Sequence, residues 1–101
     1  MRKQEALARL RANADALRAL GARSLYLFGS TARDEARPDS DVDLFVGDYD
    51  EDFTAIELVR LRDRVGALLG VAADVTTRDG LHPLLRDEVV ASAERVFCRA
   101  G

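Results

Sequence analysis

The feature that most constrains this chain is a run of aspartates at alternate positions, Asp39, Asp41 and Asp43, which leads directly into the apolar segment 42–46. Alternate residues of a β-strand share one face of the sheet. A strand that begins at Asp41 therefore directs Asp41, Asp43 and Phe45 to one face and the intervening apolar residues toward a core. Because like charges repel, we expect a positive group to compensate the carboxylates.

The acidic run has three interpretations: a metal site, a solvated loop and a calcium loop. Carboxylates two residues apart on one strand lie roughly 6–7 Å from each other, and Mg²⁺ binds such oxygens while keeping positions for water and phosphate. A solvated acidic loop would need no ligand. A calcium loop of the EF-hand type is excluded, because its sixth position would be Leu44 rather than Gly and its twelfth would be Asp50 rather than Glu.

The preceding Gly29–Ser30 pair favours the metal interpretation. It follows the apolar segment 24–28, which is typical of a strand, and it opens a short predicted helix. Backbone N–H groups at such a turn can receive an anion, and glycine lets a phosphate approach the backbone closely. A Gly-Ser turn alone is weak evidence. Followed by Asp-x-Asp about a dozen residues later, it predicts nucleoside triphosphate chemistry.

The run GSTARDEARPDSDVDLFV closely resembles the signature of the DNA polymerase β-like nucleotidyltransferase superfamily, in which Gly-Ser is followed by Asp-x-Asp. In particular it is similar to the minimal nucleotidyltransferases, the MNT proteins, many of which are antitoxins paired with a HEPN-domain toxin. One departure is Asp34, where many relatives have Gly. The resemblance implies a polymerase β-like α/β fold for the single domain expected over residues 1–101.

The resemblance also implies a role for each motif residue. Gly29 and Ser30 would hold the β- and γ-phosphates of ATP, and Asp41 and Asp43 would hold two Mg²⁺ ions. The family's third carboxylate lies on a neighbouring strand. Asp74, in the segment VAADVTT, is the candidate for this ligand or base, with a solvent-facing edge residue as the alternative.

Further expectations concern other polar residues and two aromatic residues. Arg33 is expected either to contact phosphate or a partner or to pair with Asp34 or Asp39. Arg37 is expected to form a loop ion pair of low net value, with contact to phosphate or a partner as the alternative. The only histidine, His82, precedes Pro83 in a predicted loop and is therefore expected at the surface. Without a second histidine, no zinc site is expected. The aromatic side chains of the first strand, Tyr26 and Phe28, are expected in the core, with contact to a nucleotide base as the alternative.

Hydrophobic periodicity predicts the order α, β, short α, β, α, β, α, β. The predicted helices cover residues 3–20, 53–69 and 83–93, with the short helix after Gly29, and the predicted strands cover 24–28, 41–46, 71–77 and 95–98. These elements predict a small mixed sheet of about four strands with helices packed on it.

Composition limits the class of protein further. The chain has 101 residues, a net charge of −3 and one cysteine, Cys98, which is expected to be buried. The mild acidity argues against direct nucleic-acid binding. No apolar run approaches the ~18 residues of a membrane span, and a lone cysteine fits a reducing compartment. A cytoplasmic protein without membrane contact is therefore expected.

The leading functional expectation is Mg²⁺-dependent transfer of AMP from ATP to a hydroxyl, by resemblance a tyrosine of a partner HEPN toxin. One alternative is an antitoxin that neutralises its toxin by binding alone, although the presence of every motif residue favours activity. Another is modification of a small molecule, although relatives with that activity generally carry an additional acceptor-binding domain. We expect the acceptor, or a second copy of the chain, to complete the cleft.

Overall fold

The computed structural model describes residues 1–98, so residues 99–101 of the predicted domain lie outside the described part. Its strands are β1 (Ser24–Phe28), β2 (Val42–Val46), β3 (Ala73–Thr77) and β4 (Glu94–Cys98). Its helices are α1 (Lys3–Ala12), α2 (Ala14–Arg18), α3 (Gly29–Ala32), α4 (Ala55–Leu69) and α5 (Arg86–Ser92), and a 3₁₀ turn covers Arg78–Gly80. The sheet has the order β3-β2-β1-β4. The β2–β3 pair is parallel and the other pairs are antiparallel, so the predicted mixed sheet with packed helices is confirmed.

The hydrophobic core lies between one face of this sheet and the helices α1, α2 and α4. Alternate residues of β1 and β2 point into this core, which is the period-two alternation predicted for β2. The fully buried aliphatic strand residues on this face are Leu25, Leu27, Val42, Leu44 and Val46, and the buried leucines and valine of the helices are Leu7, Leu10, Leu17, Leu61, Val65 and Leu69. The opposite face of the sheet is therefore available for the polar residues that alternate with these.

Helix α4 shows how local sequence sets an element boundary. The Thr54 hydroxyl accepts a hydrogen bond from the Ile56 N–H at 3.3 Å, and the Glu57 carboxylate accepts one from the Thr54 N–H at 3.0 Å. This capping box starts the helix at Ala55, two residues after the predicted start. Gly70, with a φ of 72°, ends it in the left-handed conformation that glycine adopts without strain.

The single helix predicted over 3–20 is wrong, because the chain breaks it at Asn13 into α1 and α2. The Asn13 side-chain amide donates to the Arg9 carbonyl at 2.8 Å, and the Asn13 N–H bonds to the Leu10 carbonyl at 3.1 Å. Asparagine competes in this way with the regular helical hydrogen bonds. Leu10 and Leu17 remain buried on either side of the break, so the apolar stripe survives it.

The C-terminal part of the chain departs most from expectation. Helix α5 begins at Arg86 rather than at residue 83, and it contributes no fully buried residue. Leu84 is 86% exposed, and Cys98 is exposed rather than buried. The Leu85 N–H bonds to the His82 carbonyl at 2.9 Å, which makes the segment before α5 a turn. Within residues 1–98 no helix is long and apolar enough to cross a membrane.

Candidate active site

Two of the predicted carboxylates are brought together by the parallel pairing of β2 and β3. Asp43 and Asp74 are direct partners in the register of these strands, which places their backbones about 4.8 Å apart on one face. Asp41 lies one residue before β2, which begins at Val42 rather than at the predicted Asp41. Asp41 and Asp74 are exposed and Asp43 is half-buried. The carboxylates are therefore accessible at the end of the sheet where β2 and β3 begin.

The pKa of Asp43 reflects burial and an excess of negative charge at this site. Partial burial raises the pKa of the Asp43 carboxyl above its ordinary value, and the neighbouring carboxylates of Asp74 and Asp41 raise this pKa further. The guanidinium of Arg33 acts in the opposite direction but does not reverse the shift. A divalent cation would relieve this repulsion, so the donor set fits such an ion.

The protein alone does not form a complete metal cage. Within residues 1–98, no three histidine, cysteine or acidic side chains are grouped closely enough to hold a metal ion by themselves. Mg²⁺ is commonly bound through one or two carboxylates, with substrate phosphates and water completing its octahedral shell. The Asp43–Asp74 pair, with Asp41 beside it, fits an ion that is bound jointly with a phosphorylated substrate.

Gly29 lies against the Asp43 carboxylate. A Cβ added at Gly29 would stand 2.5 Å from the Asp43 Oδ2, and its φ of +75° is in the left-handed region. Glycine is required here by both the conformation and the contact. The antiparallel register, in which Phe28 faces Asp43, fixes this approach. A phosphate received at the start of α3 would therefore meet a carboxylate, and a cation between them would be needed.

The remaining motif residues lie at the edge of this site. The Arg33 Nε donates to Glu35 at 3.3 Å, rather than to the predicted Asp34 or Asp39, and this ion pair is exposed. The Arg37 N–H donates to the Ser40 hydroxyl at 3.0 Å, which orders the turn before the acidic strand. No ion pair of Arg37 occurs within residues 1–98, so the predicted loop salt bridge is absent from this part of the chain. Ser30 follows Gly29 in α3 and is half-buried.

Three aromatic rings form a platform on the same face, contrary to the core position predicted for Tyr26 and Phe28. Phe45 is fully buried although it shares the face of Asp43. Tyr26 stacks on it with ring centroids 4.9 Å apart, and the Phe28 ring lies 5.8 Å away. The Arg78 guanidinium lies 5.9 Å and 6.0 Å from the Tyr26 and Phe45 centroids. Tyr26 and Phe28 thus lie outside the main core. Their alternation with Leu25 and Leu27 is the sequence pattern that indicates the opposite face.

Comparisons with known proteins agree with this geometry. The nucleotidyltransferase domain family matches residues 10–96. A protein of Methanocaldococcus jannaschii, provisionally named protein adenylyltransferase MJ0435, is 37% identical over 77 residues, which cover 76% of this chain and 82% of that protein. A solved structure provisionally described as a minimal nucleotidyltransferase has a TM-score of 0.78 at 36% identity, covering 93% of this chain and 95% of the other.

A more distant likeness concerns the fold alone. A chain from the complex of an MNT antitoxin with the tri-AMPylated HEPN toxin of Shewanella oneidensis has a TM-score of 0.64 at 18% identity. The match covers 95% of this chain and 72% of that one. The family match over most of the sequence, the archaeal relative and the shared architecture together show that this chain belongs to the nucleotidyltransferase domain family, among its minimal members.

Proposed function

We propose that this nucleotidyltransferase transfers AMP from ATP to a hydroxyl of a partner protein in a reaction that needs divalent cations. The observation that carries the proposal is the pairing of Asp43 with Asp74 beside Gly29 at the start of α3. This arrangement supports nucleotidyl transfer because cation-binding carboxylates stand against the backbone that would receive phosphate. Asp41 would complete the acidic set.

The residues have distinct parts in the proposed reaction. Asp43, Asp41 and Asp74 would hold Mg²⁺, which neutralises charge on the triphosphate and on the leaving pyrophosphate when bound. The backbone of Gly29 and Ser30 would orient the β- and γ-phosphates, and Arg33 would add positive charge nearby. Positioning and electrostatics of this kind account for most of the catalysis in phosphate-transfer reactions.

The bond changes follow from in-line displacement at the α-phosphorus. The acceptor oxygen forms a bond to this phosphorus, the bond from the α-phosphorus to the oxygen that bridges to the β-phosphorus breaks, and pyrophosphate leaves. The proton of the acceptor hydroxyl passes to a carboxylate oxygen, for which we propose Asp74. Its exposed position at the edge strand leaves room for an acceptor hydroxyl to approach.

The partner that we propose is a HEPN-domain toxin, with a tyrosine hydroxyl as acceptor and neutralisation of the toxin as the outcome. The name of the archaeal relative supports a protein acceptor. The complex of an MNT antitoxin with an AMPylated HEPN toxin supports this partner class for a chain of the same fold. Such an antitoxin would act in the cytoplasm.

The test is intact-mass analysis of a HEPN-domain protein encoded beside this chain, after incubation with the chain, ATP and Mg²⁺. We expect a mass gain of one or more AMP units, which should be absent with an Asp41→Asn, Asp43→Asn double variant. Peptide mapping then identifies the modified residue. A stable complex without any mass gain in either case would contradict transfer and support neutralisation by binding alone.

A further inference from the structure

The end of α3 follows a helix-terminating pattern in which Asp34 occupies the position most often held by glycine. The Glu35 N–H donates to the Ser30 carbonyl at 2.8 Å, and the Asp34 N–H donates to the Thr31 carbonyl at 3.1 Å. This pair of bonds is the Schellman arrangement, which requires left-handed backbone at the residue after the helix. Asp34 has a φ of 57°, a conformation that aspartate tolerates better than most residues other than glycine.

The side chain of Asp34 reaches the first residue of α1. Its Oδ1 accepts a hydrogen bond from the Lys3 N–H at 2.8 Å, although the two residues are 31 positions apart. Arg2, which precedes α1, provides no side-chain cap of its own. A carboxylate at a helix N-terminus satisfies a backbone donor and interacts favourably with the helix dipole. Asp34 therefore caps α1 from a distant part of the chain.

This bond links a short helix to a well-anchored one. Helix α3 has only four residues, too few for its own hydrogen bonds to hold it. Helix α1 buries Ala6, Leu7 and Leu10, each at most 3% exposed, against the core. Tying the end of α3 to α1 therefore restrains the segment that begins with Gly29.

We propose that Asp34 is a positioning residue for nucleotide binding. By joining the end of α3 to the start of α1, it holds the Gly29–Ser30 backbone in the orientation that receives phosphate. This inference rests on the proposed function of that backbone. Glycine at position 34 would adopt the left-handed conformation without strain, but it would remove the tether to Lys3.

Three variants distinguish the effect of the hydrogen bond between Asp34 and Lys3 from the effect of the left-handed backbone at residue 34. Asp34→Gly removes both the bond to Lys3 and the backbone strain. Asp34→Asn keeps an acceptor oxygen and tolerates the left-handed backbone. Glu5→Gln, which alters an exposed acid in the first turn of α1, is the control. The measurements are the Kd of the fluorescent analogue mant-ATP with Mg²⁺ and the hydrogen exchange of the Glu35 amide. We expect Asp34→Gly to weaken binding about fivefold to tenfold and to speed exchange by a similar factor. The other two variants should stay within about threefold of the unmodified chain in both measurements.

Each contrary result is informative. Unchanged exchange at Glu35 in Asp34→Gly would overturn the proposal without reference to nucleotide. Unchanged affinity in that variant would also overturn it, as would an Asp34→Asn variant that binds as weakly as Asp34→Gly. Failure of the unmodified chain to bind mant-ATP would instead count against the proposed function, and the exchange measurement would still decide whether Asp34 orders α3.

Discussion

The contact between Gly29 and Asp43 leads to a prediction that separates catalytic geometry from stability. Substituting Gly29→Ala places a Cβ 2.5 Å from the Asp43 Oδ2, whereas ordinary van der Waals contact begins near 3.4 Å. The carboxylate must therefore move by about 0.9 Å, the difference between these two distances. Misplacement of a catalytic group by about 1 Å can lower the rate ~100-fold. We expect a loss of this size in kcat for AMP transfer.

The same substitution also has a backbone cost. The φ of +75° at Gly29 is unfavourable for alanine by roughly 1–2 kcal/mol. For a chain of this length, 1 kcal/mol corresponds to a Tm decrease of roughly 4–8 °C. A loss of stability could therefore be mistaken for the cause of lost activity, so a matched control is needed.

Gly70 provides that control. Its φ of +72° is nearly the same, but a Cβ added there would meet nothing within 4 Å. Gly70→Ala should lower the free energy of unfolding by a similar ~1–2 kcal/mol while leaving the transfer rate unchanged. The assay is urea denaturation followed by circular dichroism, together with the initial rate of transfer below the unfolding transition. Equal rates for the two variants would refute the argument that the Asp43 position limits the reaction.

Three further predictions concern charge and capping. Without divalent cations, Asp43→Asn should leave the Tm at pH 7 unchanged or raise it by up to about 5 °C, since it removes a charge that its neighbours repel; a clear decrease would contradict this. Because the pKa of Asp43 is raised, the contribution of this residue to the stability of the metal-free protein decreases as the pH rises through that pKa. Protons therefore compete with Mg²⁺ for Asp43 at a higher pH than they would at an ordinary aspartate, and calorimetric titration should show the Mg²⁺ affinity falling as the pH decreases through this range. Constant Mg²⁺ affinity over the same pH range would exclude Asp43 as a ligand. Thr54→Ala removes the α4 cap and should therefore lower the free energy of unfolding, measured by urea denaturation, by about 1 kcal/mol without changing the transfer rate.

The acidic site shows what local sequence can predict. The alternation of Asp41 and Asp43 with buried residues indicated which face would carry the carboxylates, because a strand has a period of two. The direct pairing of Asp43 with Asp74 depends on a crossover through α4 and on the register between distant strands, which no local pattern specifies. The resemblance supplied Asp74 as a candidate, and the parallel register then placed it beside Asp43.

Other features depended on tertiary contacts that a sequence pattern does not contain. The break at Asn13 reflects competition between one side chain and the helical hydrogen bonds. The spacing of the apolar residues continues across it and therefore does not predict the break. The stack of Tyr26 on Phe45 covers an aromatic ring on the otherwise polar face. Asp34 takes the left-handed conformation that ends α3, and its side chain accepts a bond from Lys3, a residue remote in sequence.

We propose that this chain transfers the nucleotidyl group, rather than the terminal phosphate, of ATP to a protein. The most direct measurement supplies ATP labelled with ³²P at the α-phosphate or at the γ-phosphate to the HEPN-domain protein with this chain and Mg²⁺. We predict that label from the α-phosphate alone becomes covalently bound, with release of pyrophosphate, and that Asp43→Asn abolishes it. Label from the γ-phosphate on the acceptor would contradict nucleotidyl transfer, and α-label that persists in the Asp43→Asn variant would contradict the proposed role of Asp43.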